Sequence, residues 1–474
     1  MSRDSATQSD PATQEAIFTR GNLMRHVATT SVMSSFGLMA IYAVDLIDLI
    51  FISMLGHREL AAAAGYAGTL MFFASSINIG LSIAAGALIS RDVGMQKPIK
   101  AHQAASSVAV VSVLVGLLIS GVMLAYVDTL LGFLGADAEV AQLATSYLWI
   151  VLPFTFLSGL SMVGVAALRA HGETSLGTYP ALAGALTNGV LDPIFIFALG
   201  LGLEGAAIAT VCARVVTVVM AVGYAMRMYR AFNPVGPRLI LRNLPAVSAI
   251  AVPAVLTNLA APVGTAIVTR EMAQFGPEAV AGMAIVGRLT PVVFSVVIAT
   301  SGAIGPIVGQ NLGAGFLKRI RKTIDVGLRF IFLYVLAMSG LLYLLRDVVA
   351  DLFQATGDTR RLVLLFCGPL SLGHYFNGAV SVAGAVFENM GHPAYATLIN
   401  WGRNTLGTLP FVIIGAEVYG PQGILIGQAL GGVVFAIFAV FLALYILYRP
   451  ARRIRKHGYN RKAMMQDLMY FGRG

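Results

Sequence analysis

Four polar residues interrupt long apolar segments at spacings that would let them act together. Asp45 and Asp48 are three residues apart, and Asn188 and Asp192 are four apart. On a helix, either spacing places both side chains on one face. An aspartate at the centre of a membrane helix costs about 2.5 to 3.5 kcal/mol, so it should be paired, protonated or solvated in a cavity. These residues therefore predict a site that exchanges a proton or another cation; for Asp45, capping of nearby backbone amides is the competing interpretation.

Pro193 follows Asp192 directly, and it predicts a bend beside the carboxyl. Proline has no N–H to donate and clashes with the carbonyl four residues earlier, here that of Gly189. We expect this helix to act as a hinge and the freed carbonyl to become an additional oxygen ligand. Carboxylate, amide and carbonyl oxygens suit sodium, and the same groups can relay protons. A polar cluster that only ties helices together is the alternative.

The composition indicates that membrane helices position these residues. Of 474 residues, 57% are hydrophobic and 11% are charged, whereas roughly 25% of a typical soluble domain is charged. Stretches of about 20 apolar residues are long enough to cross a bilayer. The sequence predicts an all-α polytopic membrane protein with twelve transmembrane helices, near residues 26–52, 60–90, 103–127, 140–168, 174–199, 203–228, 243–269, 289–317, 325–345, 362–387, 394–416 and 418–448.

The basic residues are distributed unevenly between alternate loops. Of 32 Lys and Arg residues, 23 fall on the side that carries both termini and five on the other. Cytoplasmic loops carry an excess of these residues, so we expect a multi-pass protein of the inner (plasma) membrane with both termini in the cytoplasm. The same excess accounts for the net charge of +10 without nucleic acid as a partner. The basic tail is expected to lie against anionic lipid headgroups.

An internal repeat divides the chain into two halves. Gly94 aligns with Gly313, and the segment that begins at Leu168 aligns with the one that begins at Phe387. Because each half contains an even number of spans, both insert in the same orientation and should be related by an axis along the membrane normal. The predicted organisation is a cytoplasmic tail (1–25), an N-lobe (26–228), a linker (229–244), a C-lobe (245–448) and a basic cytoplasmic tail (449–474).

Three segments together resemble the multidrug and toxic compound extrusion (MATE) family: "VDLIDLIFISMLGHRELAAA", "LTNGVLDPIFIFALGLGLEGAAIAT" and "FGPEAVAGMAIVGRL". The resemblance covers nearly the whole chain, from about Asn22 to Tyr448. It implies two six-helix bundles arranged as a V and related by pseudo-twofold symmetry. It also implies export of cationic or amphipathic compounds in exchange for protons or sodium ions.

The resemblance also implies which residues form the coupling site. One aspartate precedes the loop glycine of the first span by eight residues and corresponds to Asp48. The implied N-lobe site, for a proton or for Na⁺ as the coupling ion, comprises Asp48, Asn188, Asp192 and Thr210. One branch of the family places carboxylates in the seventh and tenth spans, where this chain has Ala261 and Asn377. This difference favours the N-lobe site.

We therefore expect a secondary active efflux antiporter rather than an enzyme. The sequence contains no Walker motif, no paired-cysteine zinc pattern and no serine nucleophile elbow. A small cationic or amphipathic substrate and the lipid bilayer are the expected partners, with no cofactor and a monomeric state. The alternatives are a flippase of lipid-linked saccharides from the same superfamily and a passive channel. Arg214 is expected to extend toward the membrane surface.

Overall fold

The computed structural model describes residues 16–55 and 58–457, without the side chains of residues 49, 53, 58 and 449–457. Within these ranges the regular secondary structure is entirely helical. Ten helical segments are long and apolar enough to cross a membrane, and a bent pair, Gly357–Cys367 with Pro369–Asn389, makes eleven. The last segment, Pro393–Tyr448, reverses direction within its length and supplies the twelfth crossing.

This reversal occurs at Gly420, whose backbone is non-helical with φ of 59°. Gly415 lies against the backbone of Gly423, although eight residues along a straight helix would separate them by about 12 Å. Gly427 similarly lies against Phe411. The segment is therefore two antiparallel helices, and glycine permits both the left-handed turn and the close backbone approach.

Twelve membrane-crossing helices make up most of the described chain, and one short additional helix, Val127–Phe133, lies between the third and the fourth of them. In the N-lobe they are α1 (Leu23–Met54), α2 (Arg58–Gly94), α3 (Pro98–Ala125), α4 (Ala138–Ala170), α5 (Thr174–Ala198) and α6 (Gly202–Tyr229). In the C-lobe they are α7 (Pro237–Ala273), α8 (Pro277–Val293 and Ser295–Gly313), α9 (Leu317–Leu352), α10 (Gly357–Cys367 and Pro369–Asn389), α11 (Pro393–Asn404, then 409–419) and α12 (421–457). The predicted twelve-helix architecture is confirmed.

The observed ends of the helices can be compared with the expected linker and with the two expected tails. The helix α6 ends at Tyr229 and α7 begins at Pro237, so the second half of the expected linker 229–244 is helical. Residues 1–15 and 458–474, which belong to the two expected tails, lie outside the described residues. The proposed boundaries of the lobes and tails remain predictions.

The two lobes make their tightest contact at the ends of α2 and α8. This is the side that carries the basic loops, and we call it the basic face. A Cβ added to Gly94 would collide with the backbone of Gln310, and one added to Gly313 would collide with the backbone of Arg91. The contact is reciprocal because Gly94 and Gly313 are equivalent in the internal repeat. The pseudo-twofold axis therefore passes through this crossing, where only glycine permits the approach.

A segment before α1 bridges the lobes at the basic face, and we call residues 16–22 the N-terminal strap. Its Phe18 is 2% exposed. The Phe18 N–H donates to Gln310 Oε1 at 2.8 Å, and Gln310 Nε2 donates to the Ala170 carbonyl of the N-lobe at 2.8 Å. Arg319 donates to three strap carbonyls, those of Phe18, Arg20 and Gly21. The strap thus ties α4 to α8 and α9.

Replacing Phe18 with alanine is expected to destabilise the protein by about 3 to 5 kcal/mol, because a buried aromatic ring is lost and a cavity remains. Thermal unfolding of the purified protein measures this loss. The matched control is Ile17→Ala, next to Phe18 but 42% exposed, which should lower the unfolding temperature much less. Equal effects of the two substitutions would show that the strap does not contribute packing energy.

Candidate functional site

The carboxyl groups of Asp48 on α1 and Asp192 on α5 lie next to each other in the interior of the N-lobe and interact directly. Asp192 is fully buried, and Asp48 is half-buried. Two carboxylates at this distance repel each other strongly, so the pair requires a shared proton or a bound cation. The geometry therefore unites two residues that lie 144 positions apart in the sequence.

Each carboxyl also has one oxygen without a hydrogen-bond partner in the described structure. These atoms, Asp48 Oδ1 and Asp192 Oδ2, are buried. Buried polar atoms are nearly always satisfied by protein, by water or by an ion. The pair consequently offers free acceptor capacity at a buried position, which a proton or a sodium ion could use.

Asn188 is positioned as its spacing predicts. Its Nδ2 donates to Asp192 Oδ1 at 3.1 Å, one helical turn away. This bond orients the Asn188 side chain so that its carbonyl oxygen remains an acceptor. Asn188 is 5% exposed. The amide thus fixes the buried carboxyl and adds an oxygen next to it.

Thr210 lies at the edge of the site rather than on the carboxyl pair. Its hydroxyl donates to the Ala206 carbonyl at 3.0 Å and is in hydrogen-bond contact with Tyr147. Tyr147 interacts electrostatically with both Asp48 and Asp192. Thr210 is therefore connected to the pair through Tyr147 of α4. Tyr147 is not predictable as a site residue from the sequence, since one tyrosine in a charge-free span carries no local signal.

Arg214 does not extend toward the membrane surface, and that expectation is wrong. Its Nη1 donates to the Val151 carbonyl of α4 at 2.9 Å. This carbonyl is available because α4 contains a short 3-10 turn at Leu152–Phe154. There the Thr155 N–H donates to the carbonyl of Leu152 instead of that of Val151. The broken helix thus supplies an acceptor inside the bundle, and the guanidinium adds positive charge near Tyr147.

Asp45 and Pro193 lie on either side of the pair. Asp45 is exposed, and it interacts electrostatically with Asp48 one turn later. At Pro193 the α-helical part of α5 ends, and the chain continues as one turn of π-helix, Ile194–Ala198. Such turns are frequent at functional sites. The hinge role of Pro193 and the participation of Asp45 remain predictions.

The corresponding C-lobe positions supply no carboxylate. Asn377 on α10 accepts a hydrogen bond from Arg403 Nη1 at 2.7 Å, and Ala261 is apolar. Among the residues that the structure describes, the paired acids of the membrane interior are thus those of the N-lobe.

Comparison with known proteins decides the family. The MatE family profile matches residues 34–194 and 253–414, one segment in each lobe. This chain belongs to the MATE family. The two matched segments correspond to the internal repeat, and MATE proteins are transporters rather than enzymes.

Two relatives in this family are similar to this chain along almost their entire lengths. The FAD transporter of Shewanella oneidensis is 26% identical, with 88% of this chain and 94% of the relative covered. The multidrug export protein MepA of Staphylococcus haemolyticus is 23% identical, with 91% of this chain and 94% of the relative covered. Among solved structures, the Vibrio cholerae MATE transporter VcmN in its bent form superimposes with a TM-score of 0.84 at 28% identity, covering 90% and 97% of the two chains.

Proposed function

We propose that this MATE transporter is a secondary active antiporter that exports small cationic or amphipathic organic compounds in exchange for H⁺ or Na⁺. The proposal rests above all on the contact between the Asp48 and Asp192 carboxyls. Two buried acids that need a cation between them form a site whose occupancy can change with an ion gradient. One charge that crosses 100 mV supplies about 2.3 kcal/mol, enough to bias a conformational equilibrium.

The coupling step in this proposal is the entry of a cation between the two carboxyls. A bound proton or sodium ion shifts the conformational equilibrium only if one conformer binds it more tightly than the other. The pair joins α1 to α5, and the π-helical turn after Pro193 gives α5 a place to change its bend. Asn188 and the Tyr147–Thr210 contact hold the surrounding side chains. Ion loading would thus alter how α1 and α5 pack together.

The direction of export follows from the proposed topology. We place the basic face in the cytoplasm of an inner (plasma) membrane, following the distribution of Lys and Arg. The strap and the Gly94–Gly313 crossing close the lobes on that side. The conformation described would therefore be open to the outside and ready to release substrate. Loading of the carboxyl pair would favour it.

Transport by reconstituted protein under separately imposed gradients tests this function. Proteoliposomes are given a cationic dye such as ethidium together with either a sodium gradient or a proton gradient, never both. We expect saturable dye movement against its own gradient under one of the two conditions. Movement that does not saturate and is indifferent to both ion gradients would identify a passive channel and contradict the proposal.

A second candidate cargo is a flavin nucleotide. The Shewanella oneidensis relative is named as an FAD transporter and covers most of this chain. The same proteoliposomes, loaded with FAD in place of the dye, distinguish the two cargo classes. An amphipathic substrate with negative charge would need a positively charged group in the binding cavity.

A further inference from the structure

Arg403 on α11 carries a positive charge in the interior of the C-lobe. It is half-buried, and Nη1 donates to Asn377 Oδ1 at 2.7 Å. The ion pairs of the C-lobe that the structure describes involve Arg329, Arg346, Arg360 and Arg361. None of these pairs includes Arg403. Within the described part of the chain, the guanidinium of Arg403 thus has an amide oxygen as its acceptor and no ion-pair partner.

The guanidinium of Arg403 has unused donors. A guanidinium has five N–H groups, and the described residues provide one acceptor, Asn377 Oδ1, for the Nη1 nitrogen. The Nε and Nη2 atoms make no hydrogen bond to the described residues, and neither atom is fully buried. They are therefore accessible from the space around the side chain. An unpaired arginine within a membrane helix normally faces a water-filled cavity or the bundle interior.

The surroundings of Arg403 are polar and aromatic. The His374 ring and the Asn377 side chain make a hydrogen-bond contact of 3.3 Å between Nδ1 and Nδ2. His374 also stacks on Phe294 with 4.0 Å between ring centroids. Both His374 and Asn377 are half-buried. The cluster thus combines hydrogen-bonding side chains with an aromatic stack, of which Phe294 is the buried member.

The internal repeat aligns the region of the N-lobe that contains Asp192 with a region of the C-lobe that contains Arg403. With Gly172 aligned to Gly391, Asn188 corresponds to Gly407 and Asp192 to Phe411. The C-lobe counterparts of Asn188 and Asp192 thus have no polar side chain. Arg403 lies four residues before Gly407, in the last turn of the helix Pro393–Asn404. The C-lobe region that corresponds to Asn188 and Asp192 thus contains a basic residue in place of an acidic one.

We propose that Arg403, Asn377 and His374 form a binding site for the phosphate group of an aromatic substrate. The inference deepens the transport function proposed above and rests on it. Arginine forms two parallel hydrogen bonds to phosphate, and a phosphate has enough oxygens to accept from Asn377 and His374 as well. The aromatic part of the ligand lies against His374, which Phe294 supports. The ligand class is thus a phosphorylated aromatic compound such as a flavin nucleotide.

Equilibrium binding of two flavins to the purified full-length protein tests the site. FMN and riboflavin share one ring system and differ by a phosphate. We expect FMN to bind at least tenfold more tightly than riboflavin, and inorganic phosphate to compete with FMN. Arg403→Gln should weaken FMN binding ten- to a hundredfold and leave riboflavin binding unchanged. Arg403→Lys, which retains the charge but not the paired donors, should keep part of the preference.

The control is Arg361→Gln, which removes another arginine from the C-lobe at an exposed position where it pairs with Asp358. It should leave the FMN preference intact. Equal affinity of the wild-type protein for FMN and riboflavin would overturn the proposal. So would an Arg403→Gln variant that unfolds at a lower temperature but keeps the preference, because Arg403 would then only tie α11 to α10. No gradient is applied, so this result is independent of the test of ion-coupled dye transport.

Discussion

Replacing Asp192 with asparagine is expected to reduce substrate-driven ion counterflow to the level of protein-free liposomes, and Asp48→Asn is expected to do the same. Either change leaves one carboxyl in the pair. The site then loses one of its two negative charges and the position between two carboxyls that a cation occupies, so ion binding no longer distinguishes the two conformers. Counterflow of protons or sodium against a cationic dye measures the loss.

The shape of each side chain is retained in these variants, so the fold should persist. The unfolding temperature and the elution of the purified protein serve as controls for folding. Asp45→Asn is the matched substitution, since Asp45 lies one turn from Asp48 on α1 and is exposed. We expect it to keep most of the counterflow. Undiminished exchange in both Asp48→Asn and Asp192→Asn would refute the assignment of the coupling site.

The second large effect is expected at the crossing of the lobes. Gly94→Val places two methyl groups where the backbone of Gln310 lies. Backbone cannot yield as a flexible side chain can, so we expect a cost at or above the 1 to 3 kcal/mol that is typical of overpacking. The closed state of the basic face should become unavailable, and dye transport should be lost. Thermal unfolding and transport by the reconstituted variant measure both effects.

The reciprocal geometry provides an internal check on this prediction. Gly313→Val meets the backbone of Arg91 and should resemble Gly94→Val. Gly121→Val and Gly223→Val are the controls, since a Cβ at either position has nothing within 4 Å. If valine at position 94 were tolerated as well as valine at 121, the lobes would not need to approach so closely.

The sequence predicts the helices well because a bilayer imposes one strong rule on length and polarity. The count of twelve spans depended on that rule, including the two that Gly420 separates. The repeat also identified Gly94 and Gly313 as equivalent. Their mutual contact was not predictable, because equivalence under a symmetry axis does not reveal how far each residue lies from the axis.

The candidate site was only partly predictable, for a geometric reason. Asn188 and Asp192 share one helix, so their spacing predicts their contact. Asp48 and Tyr147 reach the same place from other helices, and helices that are apolar on all sides give no signal for the direction of a side chain. Arg214 shows the same difficulty, since its acceptor depends on the break in α4 at Pro153.

The N-terminal strap has a consequence for biogenesis. Phe18 leaves the ribosome 292 residues before its partner Gln310, and Arg319 follows later still. The strap therefore cannot dock until eight helices have been inserted and the ninth has begun. Its docking is a late event in assembly, and a nascent chain that lacks α8 and α9 must hold this segment undocked.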